Sequence, residues 1–396
     1  MKFTKRNYIN LGAALLMYAA SVLSLLILDV YISTNLEKQI VSEWAFLKAF
    51  FLIIVSTVSM GYDSIILRQY NIKKYIQSYI YNLIIYSCAV GFFFYLYKDS
   101  IDFYFIIIFC LFMGFSTLLS AYFKKKNKII LSQLSINGWK LIFPLFFILL
   151  SSYSMSLAFL FSVLFSFCIS AYFFYKYQNH NKKLGLSSKD EIIENKEGKL
   201  PIVFLFINLI TLAVATNGEQ IILNNFSSPH ISYLIFIYTL IFCSIISGIS
   251  GFLGFYLVSY FNKINMSLKI YNKYKNAIYL IFLIIFFINF VAGCILMNLL
   301  YGEIDYLLAA IFCFIGVIRF LYVIYSVLMT LYANISALKC ISVINLFFTI
   351  LYICLFIIFS SFDISYNLYV ISLLILLHWL FRLMVMNLLT IRSWIS

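Results

Sequence analysis

A chain of 396 residues that is 64% hydrophobic and 11% charged, with a mean hydropathy of +1.01, lacks the polar side chains needed to wrap a water-soluble core. Lys and Arg outnumber Asp and Glu 28 to 14, for a net charge of +14. The cations are scattered through short segments between apolar runs, a pattern that excludes a nucleic-acid partner and fits the flanks of a membrane instead.

Backbone polar groups inside lipid must be paired within the chain, so only helices or closed barrels can cross. Apolar runs of roughly 20 residues, rather than short alternating strands, select helices. The first run, 9–32, follows the basic start Met1–Arg6. It exceeds a signal-peptide core and has no small-x-small cleavage site, so it reads as the first span. Further spans are predicted at 44–67, 76–97, 103–123, 129–150, 156–175, 200–224, 232–261, 277–300, 307–331, 340–360 and 368–390. The fold class expected is therefore an all-α polytopic membrane protein of about 12 transmembrane helices. The eight cysteines sit in or beside these runs without C-x-x-C spacing, and read as small lipid-compatible side chains, neither disulfides nor metal ligands.

With the N-terminus in the cytoplasm, all but six of the 28 cations fall on the inner side. Lys38 and Lys98 lie outside, and Lys48, Lys140, Arg319 and Arg382 lie within spans. This strong inside bias predicts that both termini are cytoplasmic. The longest polar stretch, 176–199, carries six lysines and falls near the midpoint of the chain. It reads as a cytoplasmic linker between an N-terminal six-helix lobe, 1–175, and a C-terminal six-helix lobe, 200–396. Six spans per lobe would send both halves into the membrane in the same direction, as in parallel repeats. No phosphate-binding G-x-x-x-x-G-K-[ST] loop, H-E-x-x-H or dinucleotide fingerprint is present, so an ATP-driven pump, a metalloenzyme or any catalytic residue set has no motif support.

Two stretches carry a family likeness. Met60-Gly61-Tyr62-Asp63-Ser64-Ile65-Ile66-Leu67-Arg68-Gln69 closes the second span, and Leu300-Tyr301-Gly302-Glu303-Ile304-Asp305-Tyr306 precedes the tenth. Together with the span pattern they resemble the O-antigen and capsular polysaccharide repeat-unit flippases of the multidrug/oligosaccharidyl-lipid/polysaccharide (MOP) exporter superfamily. The resemblance implies a V-shaped, two-lobed bundle in a bacterial inner membrane. It implies a polyprenyl-diphosphate-linked glycan as cargo, coupling to H+ or Na+, and work beside a polysaccharide polymerase and a chain-length regulator, among membrane lipids.

A charge at bilayer depth costs at least about 2.5 kcal/mol, so each intramembrane ion needs protein, water or ligand around it. Lys140, beside Asn137, Gly138 and Trp139, and Arg319 lie near the middles of their spans. They read either as cavity cations for a diphosphate or as fixed partners of Glu219, Asp29 or helix carbonyls. Glu219, with Asn217 and Gln220, forms a polar Thr216–Gln220 patch suited to sugar hydroxyls or a coupling ion, or to a structural cluster. Lys48 and Asp29 stand near the outer ends of the second and first spans, as substrate-facing cation and coupling acid or as plain helix-end charges. His378 and Arg382, one turn apart, could relay a proton or act separately. Asp63 and Arg68 read as an interfacial anchor or gate. Gly248, Gly251 and Gly254 give the eighth span a small face for close packing.

Two rival functions share much of this pattern. A cation-coupled multidrug exporter of the same superfamily needs an internal acid such as Asp29 or Glu219, whereas the basic interior favours an anionic cargo. A membrane polymerase or glycosyltransferase is disfavoured because every outside connection is short.

Overall fold

The computed structural model describes residues 5–63, 66, 73–97, 103–126, 128–150, 154–183, 202–261, 268–332, 335–361 and 367–395. Among them, twelve helices are long and apolar enough to cross a membrane, and no strand occurs. In chain order they are α1 (Lys5–Asn35), α2 (Lys38–Thr57), α3 (Lys73–Tyr97), α4 (Phe103–Lys125), α5 (Ile129–Leu150) and α6 (Met155–Lys183). After these come α7 (Ile202–Phe226), α8, α9 (Leu268–Tyr301), α10 (Tyr306–Tyr332), α11 (Ile335–Ser361) and α12 (Asn367–Ile395). Helix α8 is continuous but changes pitch, running as α-helix over Pro229–Tyr238, π-helix over Thr239–Ser244 and α-helix again over Ile245–Phe261.

Each predicted span has its helix, with one large shift of boundary. The second span was expected over 44–67, but α2 begins at Lys38 and stops at Thr57. A buried turn follows, in which Met60 and Gly61 have φ of 48° and 82°. Apolar residues run straight through this turn, so hydropathy gives no sign of it; the left-handed backbone does. A Cβ on Gly61 would lie 2.7 Å from Leu205 Cβ, so this position needs glycine for space as well as for conformation.

Contacts divide the chain into two compact units: Met1–Leu28 with Ile54–Phe206, and Asp29–Ile53 with Ile207–Ser396. In the first unit, α4 packs on α3, α5 and α6, and α5 on α6. Trp139, Phe143 and Phe159 meet at ring separations of 4.3 to 6.2 Å, and the Tyr79 hydroxyl donates to the carbonyls of Val58 and Gly114. In the second unit, α10 is the hub, packed by α8, α9 and α12. Its membrane stretch is 72% buried against 17% for α9, so α10 is the helix whose polar side chains must find partners inside protein. Exposed Leu16, Ile148 and Leu299 are typical of the outward apolar surface that lipid covers.

The second family-like stretch is a capping hub. Gly302, at φ 75°, ends α9, and Asp305 opens α10 by accepting from the amides of Leu307 and Leu308 at 2.9 and 3.1 Å. The Asp305 amide donates to the Tyr238 hydroxyl at 2.9 Å, and Tyr369 donates its hydroxyl to the same carboxylate. Tyr301 shares a 2.6 Å hydrogen bond with Ser33.

Candidate functional site

Among the described residues of the second unit, the charges inside the helices include two ion pairs, Asp29–Lys48 and Glu219–Arg319, and Arg382. Asp29, fully buried on α1, accepts from Trp44 Nε1 at 3.0 Å and pairs with Lys48 Nζ. Trp44 and Lys48 are four residues apart on α2, so one helical face supplies both donors. The Lys48 ammonium also lies 5.7 Å from the centre of the Phe236 ring on α8.

The second pair joins α10 to α7, with Arg319 Nη2 donating to Glu219 Oε1 at 3.0 Å. Both side chains are buried. The guanidinium lies 4.9 Å from the Trp379 ring, and Trp379 Nε1 donates at 3.1 Å to the carbonyl of Ala215, one turn before Glu219. Glu219 Oε2 and Arg319 Nε have no hydrogen-bond partner among the described residues. Of the two alternatives read from the sequence for Arg319, this arrangement is the fixed partnership with Glu219.

Arg382 on α12 has no exposed surface. Its Nη1 donates to the Thr211 carbonyl at 3.1 Å and to Thr349 Oγ1 at 3.4 Å. Its Nη2 donates to the Tyr322 hydroxyl at 3.1 Å and to Thr211 Oγ1 at 3.5 Å. His378 faces a different neighbour, stacking on Tyr352 at 4.1 Å. His378 thus meets α11 through its ring, whereas Arg382 meets α7, α10 and α11 through hydrogen bonds.

The Thr216–Gln220 patch is split. Glu219 and Gln220 are buried, and both polar atoms of the Gln220 amide lack partners among the described residues. Asn217 is half-buried and donates to neighbouring Thr216 Oγ1 at 3.0 Å rather than to Glu219. In the first unit, Lys140 is half-buried with its ammonium 5.7 Å from the Trp139 ring centre. Close to it in sequence, Asn137 Nδ2 donates to Gln133 Oε1 at 2.7 Å. Asp63 is half-buried, with Oδ1 lacking a partner among the described residues, and Arg68 lies outside those residues. Of the three glycines in α8, Gly254 is the close-packed one, where a Cβ would meet Val323 Cγ1 at 2.7 Å, whereas Gly251 is exposed.

Sequence reasoning picked out the ions, with Glu219 among the partners offered to Arg319, but not the neutral groups that hold them. Trp44 carries a signal in its four-residue spacing from Lys48, and Trp379 in its place beside His378. Thr211, Thr349, Tyr322 and Tyr352 carry none, because their roles arise only when α7, α10, α11 and α12 are packed together.

No protein-family model and no curated protein sequence matches the chain. Solved structures do match over its whole length. One is a MOP superfamily transporter from Pyrococcus furiosus Vc1 (DSM3638), described as having a binding pocket of reverse polarity that suggests a different function. It is 10% identical, with 100% of both chains covered and a TM-score of 0.59. A multidrug resistance MATE family transporter of the MOP superfamily, in an outward-facing conformation, is 12% identical over 98% of each chain with a TM-score of 0.53. A MATE protein in complex with MaD5 is 13% identical over 100% of this chain and 97% of that one, with a TM-score of 0.54. The fold is thus that of the MOP superfamily transporters.

Proposed function

We propose that this chain is a multi-pass transporter of a bacterial inner membrane that moves a polyprenyl-diphosphate-linked oligosaccharide repeat unit from the inner to the outer leaflet by alternating access. The cargo would feed O-antigen, capsule or exopolysaccharide synthesis, beside a polymerase and a chain-length regulator, with H+ or Na+ as the coupling ion. Support for transport comes from the full-length likeness of fold to MOP transporters. One observation favours an anionic cargo. Asp29 and Glu219, the buried acids within the described spans, are each held by a cation of the same unit. A drug cation would find both carboxylates already engaged, in a chain whose Lys and Arg outnumber its Asp and Glu 28 to 14. In this reading Arg319 fastens α10 to α7, and Lys140 meets the diphosphate.

The fold likeness to a multidrug MATE transporter makes cation-coupled drug export the second reading. Deleting the chain in its host separates the two. The flippase reading expects lipid-linked repeat units to accumulate on the cytoplasmic leaflet. It also expects Lys140→Gln to lower translocation about tenfold or more at unchanged protein level, with partial recovery in Lys140→Arg. Heightened drug sensitivity without glycan accumulation would establish the exporter instead.

A further inference from the structure

Helices α4, α5 and α6 and the turns between them run over residues 103–183, a stretch with eight lysines and not one Asp or Glu. Four of the lysines, Lys124, Lys125, Lys126 and Lys128, crowd into the turn from α4 to α5. That turn is pinned on both sides. The Lys128 amide donates to the Phe123 carbonyl at 2.8 Å, closing α4, and the Lys128 carbonyl accepts from the Ser132 amide at 3.0 Å, opening α5. Ser120 and Ser132 share a 2.8 Å bond between their hydroxyls.

Helical spacing carries these cations to an aromatic seam. Tyr122, Lys125 and Lys126 follow one another at i, i+3 and i+4 along the end of α4, and Phe174, Tyr177 and Gln178 do the same along α6. The two faces meet: the Tyr122 and Phe174 rings are 5.3 Å apart, and Gln178 Nε2 donates to the Tyr122 hydroxyl at 3.2 Å. The Lys128 ammonium lies 5.5 Å from the centre of the Tyr177 ring. Lys124 is engaged differently, within electrostatic reach of Asp63. Lys125 and Lys126 are half-buried and Lys128 is exposed, so a ligand can reach the cluster from outside. Its depth is set by the helices. The apolar spans stop at Lys125 on α4 and Asn179 on α6 and start at Ile129 on α5, which puts the lysines where hydrocarbon gives way to headgroups. Further into the span, exposed Phe165 and Tyr172 of α6 offer apolar surface to acyl chains.

We propose that this end of the first unit binds an anionic phospholipid, its phosphate oxygens among Lys125, Lys126 and Lys128 and its acyl chains along α6. A headgroup with two phosphates fits best, because it brings two negative charges to three ammoniums on helices that contain no acid of their own. A soluble anion would meet the same ammoniums but leave the neighbouring apolar surface unused. The site is separate from the cargo reading built on Lys140, and stands whether the chain moves glycans or drugs. Asp190, Glu191, Glu194 and Glu197 of the polar stretch 176–199, which lie outside the described residues, are the rival occupant, and the test includes them.

The test is native mass spectrometry of the purified full-length chain in detergent, titrated with diphosphatidylglycerol, phosphatidylglycerol or phosphatidylcholine. Affinity should fall in that order. The triple variant Lys125→Gln/Lys126→Gln/Lys128→Gln should bind the first diphosphatidylglycerol about a hundredfold more weakly, and Lys128→Gln alone, at an exposed position, about fivefold more weakly. Arginine at the same three positions should keep the binding. Lys269→Gln/Lys273→Gln/Lys275→Gln removes equal charge from α9 in the second unit and should leave it unchanged. So should millimolar pyrophosphate, and so should neutralising Asp190, Glu191, Glu194 and Glu197 together. Equal binding of the three lipids, an equal loss in the α9 variant, displacement by pyrophosphate, or tight binding only after the four acids are neutralised would each overturn the site.

Discussion

Glu219 and Arg319 stand a hundred residues apart in sequence, yet only one oxygen of the acid and one nitrogen of the base meet, at 3.0 Å. The pair's contribution is better judged by what its loss leaves behind than by the bond itself. Removing one member strands a buried charge, at about 3–5 kcal/mol, whereas replacing both by apolar side chains of similar volume is often neutral. Glu219→Leu or Arg319→Met alone is therefore expected to lower unfolding stability by about 3–5 kcal/mol, and the double variant to recover most of it. Denaturant unfolding of all four proteins in one detergent measures this. If the double variant lost the sum of the singles, the two residues would not be acting as a pair. The sequence marks Lys140 and Arg319 as ions that need company, with Glu219 and Asp29 among the partners on offer, because any charge at bilayer depth does. Who accompanies whom is tertiary information, and no spacing along the chain encodes it.

The helices themselves were readable because burial in lipid leaves a signal along the chain, in runs of apolar residues of bilayer length. Their irregularities were not. Hydropathy carried the second span on to residue 67, past the left-handed turn at Met60 and Gly61 that ends it. Likewise 232–261 reads as one uniform span, but α8 widens to a π-helix over Thr239–Ser244. The cause lies on other helices. Asn289 of α9 donates its side-chain amide to the Phe242 carbonyl at 2.9 Å, and Gly316 of α10 leaves room for that same carbonyl. A Cβ at position 316 would stand 2.6 Å from the Phe242 oxygen, a backbone atom that cannot rotate away. Gly316→Ala should therefore destabilise the fold by about 1–3 kcal/mol, the range for forcing extra volume into a packed core. Gly12→Ala, with nothing within 4 Å of its new methyl, should be neutral or slightly stabilising as alanine replaces glycine within a helix. Thermal unfolding of the two variants side by side checks the contrast. A π-turn that tolerated Gly316→Ala as well as α1 tolerates Gly12→Ala would not depend on this close approach.

The division of the chain into compact units has a consequence for how it can be cut. A linker at 176–199 suggests two separable halves, but residues 29–53 belong with 207–396. Within that second unit the early segment is bonded in at several places. Ser42 accepts from Asn224 at 3.0 Å, Ser33 bonds Tyr301 at 2.6 Å, and Lys48 packs over Phe236. Trp44, Phe46 and Phe51 are buried almost completely. A fragment beginning at residue 202 lacks all of these groups, leaving Asn224 and Tyr301 without their partners and an apolar face without its cover. Expressed alone it is expected to be degraded or to unfold at far lower temperature than the intact chain. Co-expressed with a fragment ending before the cut, it should regain most of that stability, because breaking one connection costs little when the packing it joined can re-form. Fluorescence-detected thermal unfolding of the tagged fragments, alone and together, reads this directly. If the later fragment alone melted with the intact chain, residues 29–53 would not be a working part of the second unit.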